Sequence, residues 1–153
     1  MIVVSDTSPV TALLTVGEAD LLPALFTEVV IPEAVREELL RSHRSLPQWL
    51  RISAVKDRLR VDAYCREVDP GEAEAIALAR ELGADRLLMD ERRGRRLAAR
   101  EGVAVIGLVG VVLLAKRGGL TSSARALLVR LEAEAGIYLS PQVREAAIAS
   151  VGE

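Results

Sequence analysis

The sequence predicts an α/β protein with a parallel sheet, and three observations carry that expectation. Short β-branched runs such as "IVVS", "EVVI" and "VAVI" recur along the chain. Between them, apolar residues return at helical spacing. No internal repeat or low-complexity linker interrupts the pattern, so the 153 residues suit a single domain spanning 1–153, with a core of 1–120 and C-terminal helices over 121–153. Half of the residues are hydrophobic and only 3% are aromatic, so the core is built from Leu, Val, Ile and Ala.

The elements follow in order. Ile2 to Ser5 is the first strand, and short helices are expected near "SPVTALLTV" and "EADLLPALF". "EVVI" is the second strand, closed by Pro32, which starts a helix through "PEAVREELLRS" because proline suits a first helical turn. "SHRSLPQWL" reads as a loop, "RISAV" as a short edge strand and "DRLRVDAYCREV" as a helix. "DPGEAEAIALARELG" carries the clearest helix signature, with Asp69 as N-cap, Pro70 in the first turn and Gly83 at the end. "DRLLMD" and "VAVIG" are strands on either side of a helix in "RGRRLAARE". The remainder is helical: "LVGVVLLAKR", "SARALLVRLEAEA" and a last piece from Ser140 and Pro141.

Composition narrows the function. A net charge of −2 gives no global field for a polyanion, so any nucleic-acid contact needs a local patch. Few aromatics argue against stacking platforms for single-stranded nucleic acid. The lone Cys65 has no internal disulfide partner and suits a reducing cytoplasm. The N-terminus reads as neither a secretory signal nor a membrane span, and "VAVIGLVGVVLLA" is too short to cross a bilayer.

Four carboxylates stand out. Asp6 and Asp90 each end an apolar strand, and ligands of open parallel sheets bind beyond those carboxyl ends where strand order reverses. On the helix after the second strand, Val35 and Leu39 mark the buried stripe, which Glu38 borders while Glu37 faces away. On the helix from Glu72, Ala75, Ile76, Ala79 and Leu82 mark the core face. Glu72 falls within that face, and Glu74 and Glu81 fall opposite. Each acid also has an ordinary structural use. Asp6 suits a turn or N-cap before Ser8 and Pro9, and Glu72 completes a capping box with Asp69. Asp90 suits a cap for the helix beginning near Glu91, and Glu38 suits a solvated helix surface. Together, clustered carboxylates require a counter-charge, which a hard cation such as Mg²⁺ or Mn²⁺ supplies and with which phosphoryl chemistry is open. His43, expected at the surface in a polar loop, and Cys65, expected beside its helix, lack ligand spacing and argue against zinc. No Gly-rich phosphate loop is present. "SDTSP" lacks the second Asp of the haloacid dehalogenase-type phosphatase motif.

The combination of "SDTSP", "GEAEAIALA" and "LLMDERRGRR" at these spacings resembles the PIN domain, most closely the small stand-alone group called DUF3368, allied to VapC-type toxins. The likeness runs from Ile2 to about Leu120 and more loosely to the end. It implies a three-layer sandwich with a central parallel sheet of about four or five strands, and a Mg²⁺- or Mn²⁺-dependent endoribonuclease. The resemblance places the catalytic and metal-holding acids at Asp6, Glu38, Glu72 and Asp90, with Ser8 and Glu91 as auxiliaries. The third position is often Asp in the family, so Glu72 is a longer ligand. Leu88 stands where many members carry Thr or Ser. "ERRGRRLAAR" supplies positive charge beside the acids, with Arg92 and Arg96 as the expected RNA contacts and solvated pairs to Glu91 and Glu101 as the alternative use. RNA, a small antitoxin and a second copy of the chain are the partners the resemblance implies. A PIN-like binding module without activity and a small-phosphoester hydrolase are the competing readings.

Overall fold

The computed structural model describes residues 1–153. Five strands form one parallel sheet: β1 (Ile2–Ser5), β2 (Glu28–Ile31), β3 (Leu50–Ile52), β4 (Arg86–Leu88) and β5 (Val105–Ile106). Their order is β3-β2-β1-β4-β5. The chain therefore runs outward from β1 to β3, then returns to the other side of β1. Strand order reverses between β1 and β4, where Val4 pairs with Leu87 and Ser5 with Leu88.

Nine helices complete the fold: α1 (Thr7–Thr15), α2 (Leu21–Leu25), α3 (Glu33–Ser42), α4 (Arg58–Tyr64), α5 (Pro70–Leu82), α6 (Arg92–Arg100), α7 (Leu108–Arg117), α8 (Ala124–Ala135) and α9 (Pro141–Ser150). Side chains alternate across the strands, so the two sheet faces enter two cores. Val3, Val29, Ile31 and Leu88 pack with residues of α1, α2, α3, α7, α8 and α9. Val4, Val30, Leu87 and Met89 pack with α4, α5 and α6. This is the helix–sheet–helix layering that the resemblance implied.

The first two strands and α7 fall at the expected residues, and "RISAV" contributes to edge strand β3 as expected. Asp69 and Glu72 form the capping box, and Gly83 ends α5 in the left-handed conformation at φ 59°. Three local expectations are corrected. Glu74, assigned to the outer face of α5, is buried at 8% exposure. The reason is tertiary: α3 and α4 both pack on α5. Glu74 accepts the Ala34 N–H at the start of α3 and the Arg58 guanidinium of α4, each at 3.1 Å. His43 is half-buried at the end of α3, with Nε2 shielded from solvent and unpartnered. Cys65, at the end of α4, is exposed rather than packed.

Candidate active site

The reversal point of the sheet places Asp6 and Asp90 side by side. The Asp6 backbone N–H donates to the Leu88 carbonyl at 3.0 Å, which continues the β1–β4 ladder one residue past the strand. Asp6 then occupies the N-cap position of α1, with φ −77° and ψ 174°, yet its side chain makes no capping hydrogen bond in the helix. The turn-cap use open in the sequence is therefore only half taken: the backbone turns there, and the carboxylate is left over. Asp6 is only 6% exposed. Burial pushes its pKa up to about 7, helped by the charges of Asp69, Glu38 and Asp90, while the neighbouring Thr7 N–H pulls the other way.

Glu38 reaches in from α3. Its Oε2 accepts the Thr7 hydroxyl at 2.6 Å. Its carboxylate also lies against the first turn of α5, in the space a side chain at Gly71 would fill. A glycine at that position lets Glu38 pass between the starts of α1 and α5. Helix N-termini carry partial positive charge, so this position favours an anion.

Glu72 is buried at 8% exposure and its pKa is raised to about 7 by desolvation and by Asp69, Asp6 and Glu91. It does both jobs that the sequence left open. Its Oε2 accepts the Asp69 N–H at 3.3 Å, and its charge belongs to the same acidic group as Asp6. Asp90 does not cap the helix beginning near Glu91. Its Oδ1 instead accepts the Leu108 N–H at 3.0 Å, at the start of α7. Asp90 is exposed as a residue, yet desolvation still raises its carboxyl above the usual range, opposed by the Leu108 N–H and the Arg95 cation. Glu91 caps α6 by accepting the Gly94 N–H at 2.8 Å. Ser8 is exposed and lines the same cavity as Asp90.

The four predicted acids thus gather at one end of the sheet, over the β1–β4 junction. As placed, no three His, Cys, Asp or Glu side chains converge closely enough to hold a metal ion. Two contributors escaped the sequence reading. The sequence marks Asp69 only as a helix cap, yet among the charges raising Asp6 it acts most strongly. Thr7 lay within "SDTSP" but carried no signal, since its partner Glu38 is far away in sequence.

The arginines of α6 divide. Arg100 pairs with Glu67 at 2.5 Å. Glu101 is taken by Arg60 and Arg80, and Glu91 by the backbone. Arg92, Arg93, Arg95 and Arg96 are exposed and form no ion pair within 4.0 Å, so the expected alternative of solvated pairs with Glu91 and Glu101 is not realised. Arg96 lines a shallow pocket with Glu67, Arg93 and Arg100. Arg93 and Glu67 also line the neighbouring pocket that holds Asp69, Glu72 and Glu91. Arg93, not singled out from the sequence, therefore bridges the basic surface and the acids.

The family model DUF3368, a PIN domain, matches residues 2–153. No curated protein matches the chain.

Proposed function

Because the chain belongs to the PIN-domain family over nearly its whole length, we propose that it is a divalent-metal-dependent endoribonuclease. The carrying observation is Asp6: a buried carboxylate at the strand-order reversal, unused as a cap and raised to about 7 by burial, with its acidic neighbours adding to the rise. Such a group is costly until a cation compensates it.

The donor set fits Mg²⁺ or Mn²⁺. It is all oxygen, rich in carboxylate and free of Cys and His. Asp6, Glu38, Glu72 and Asp90 are the residues that would hold the ion. When bound, the metal supplies Lewis-acid stabilisation of phosphoryl charge and an activated water. The chain's own residues do the rest. Thr7 orients Glu38 through its hydroxyl. The N-terminus of α7 holds Asp90 in place through the Leu108 N–H. Ser8 and Glu91 stand at the rim as auxiliaries. Arg92, Arg93 and Arg96, free of carboxylate partners, contact RNA phosphates. Hydrolysis leaves a 5′-phosphate and a 3′-hydroxyl.

The reading extends to the toxin of a toxin–antitoxin pair acting in the cytoplasm, neutralised by a small antitoxin protein, and to a homodimer. A groove lined by Phe26, Ile106, Leu113 and Leu114 beside the short edge strand β5 supports a second copy at that face. No helix is long and apolar enough to cross a membrane.

Calorimetric titration with Mn²⁺, wild type beside Asp6→Asn, tests the reading without a choice of substrate. Wild type binds, and the variant loses binding with its circular dichroism unchanged. RNA cleavage, dependent on added Mg²⁺ or Mn²⁺, falls on the order of 10²-fold or more in Asp6→Asn and Asp90→Asn. Full activity in either variant overturns the assignment of that acid. Hydrolysis of a chromogenic phosphate monoester without RNA cleavage overturns the nuclease.

A further inference from the structure

Beside Asp90 lies a cavity of about 300 Å³ that shares no lining residue with the arginines' pocket. Its walls are Leu108 and Val109 from α7, and Ile137 and Leu139 from the extended segment between α8 and α9. Ser8 and Asp90 form its polar end, and Tyr138 completes it. At this volume it stands at the small end of ligand pockets, about 300–1,000 Å³, room for one ring system.

Tyr138 is unlike the other aromatic residues. Phe26 and Tyr64 are buried, and Trp49 is half-buried with its indole N–H donating to Asp20. Tyr138 is 85% exposed. Burial in this fold does not account for its position, which sets a ring beside the acid at the centre of the site.

We propose that this cavity is a nucleobase subsite, in which one base of a single-stranded RNA stacks on Tyr138 between the apolar walls while its polar edge faces Ser8. The inference rests on the ribonuclease reading and adds how substrate is held. The chemistry selects the occupant. No cation lines the cavity to hold a phosphate, and its walls are mostly apolar. A flat ring with two apolar faces and a polar edge matches walls of Leu, Val and Ile around one hydroxyl. The charges complete the picture: backbone phosphates have Arg93 and Arg96, which line a separate pocket. Bases and phosphates thus have separate pockets, with no lining residue in common. Tyr138 is a positioning residue in this arrangement, since it holds the base and does not touch the scissile bond.

The test uses the full chain, with wild type, Tyr138→Ala, Tyr138→Phe and Tyr138→Trp. Fluorescence anisotropy in EDTA follows fluorescein-labelled oligoadenylate and an abasic ribose-phosphate chain of equal length. Cleavage kinetics with Mn²⁺ follow the unlabelled oligoadenylate. Tyr138→Ala weakens oligoadenylate binding and raises KM about tenfold, with kcat and Mn²⁺ affinity unchanged. Phe and Trp restore both. On the abasic chain all four proteins bind alike. Equal KM for wild type and Tyr138→Ala overturns the subsite and leaves the ribonuclease standing. An equal loss on the abasic chain, or failure of Phe to rescue, also overturns it. If Tyr138→Ala instead weakens only binding of an apolar protein partner, the cavity is a protein-docking site and the proposal falls. If wild type neither binds nor cuts RNA, both readings fall together.

Discussion

Asp6 illustrates what a single residue can cost and contribute. An acid whose folded pKa exceeds its unfolded value binds its proton more tightly when folded, so folding loses stability as pH rises between the two values. For Asp6 that window runs from 3.8 to about 7, and Glu72 adds to it in the same direction from 4.5 to about 7. The metal-free protein is therefore expected to lose stability from about pH 4 to pH 7 and to level off above. Asp6→Asn removes the larger part. Urea unfolding in EDTA at pH 8 should find the variant more stable by on the order of 2 kcal/mol, with the difference vanishing near pH 4. With saturating Mn²⁺ the order should reverse, because the cation binds only the folded wild type. Equal pH profiles for the two proteins would remove the electrostatic basis of the site.

At the scale of the element, α5 does most to assemble the site. Its N-terminus supplies Asp69 and Glu72, its first turn receives Glu38 at Gly71, and Glu74 ties α3 and α4 to its flank. Gly71 has a specific steric role: the three nearest atoms that an added Cβ would meet all belong to the Glu38 carboxylate. Alanine favours a helix over glycine by up to about 1 kcal/mol, and a flexible carboxylate can move aside. Gly71→Ala should thus leave the melting temperature unchanged or slightly raised while weakening Mn²⁺ binding and RNA cleavage. A variant with wild-type Mn²⁺ affinity would mean that Glu38 contributes nothing where it lies. The capping box, Pro70 and Gly83 were legible because they act through near neighbours in sequence. The burial of Glu74 was not, because helical periodicity describes a helix with one covered side, and α5 is covered on several.

In the whole molecule, the C-terminal helices are held by Glu153. Its carboxylate accepts the Ala124 N–H at 2.6 Å, the Arg125 N–H at 3.3 Å and the Ser123 hydroxyl at 2.9 Å, and it pairs with Lys116 at 3.4 Å. These bonds at the start of α8 depress its pKa to about 2. A depressed acid stabilises the fold above its unfolded value near 4.5, and that contribution disappears as pH falls to about 2. Glu153→Gln should speed hydrogen exchange in α9 at pH 7 and make no difference near pH 2. Unchanged exchange would show that α9 is held by its apolar contacts alone. Because Ile137 to Leu139 lie between α8 and α9 and wall the cavity beside Asp90, this clamp also bears on the geometry of the site.

The α/β class with a parallel sheet, the first two strands and the capping of α5 could be read from the sequence alone. These depend on local preference and on the period of apolar residues, which neighbouring positions carry. Packing in three dimensions brings Asp69 into the field of Asp6, the Thr7 hydroxyl to Glu38, and Arg93 between the basic surface and the acids. It also decided that Tyr138 stands beside Asp90, although the scarcity of aromatics had argued against stacking. Each of these is a meeting of residues distant along the chain, created by the order of five strands and by the faces that packing leaves uncovered. No local period encodes that order.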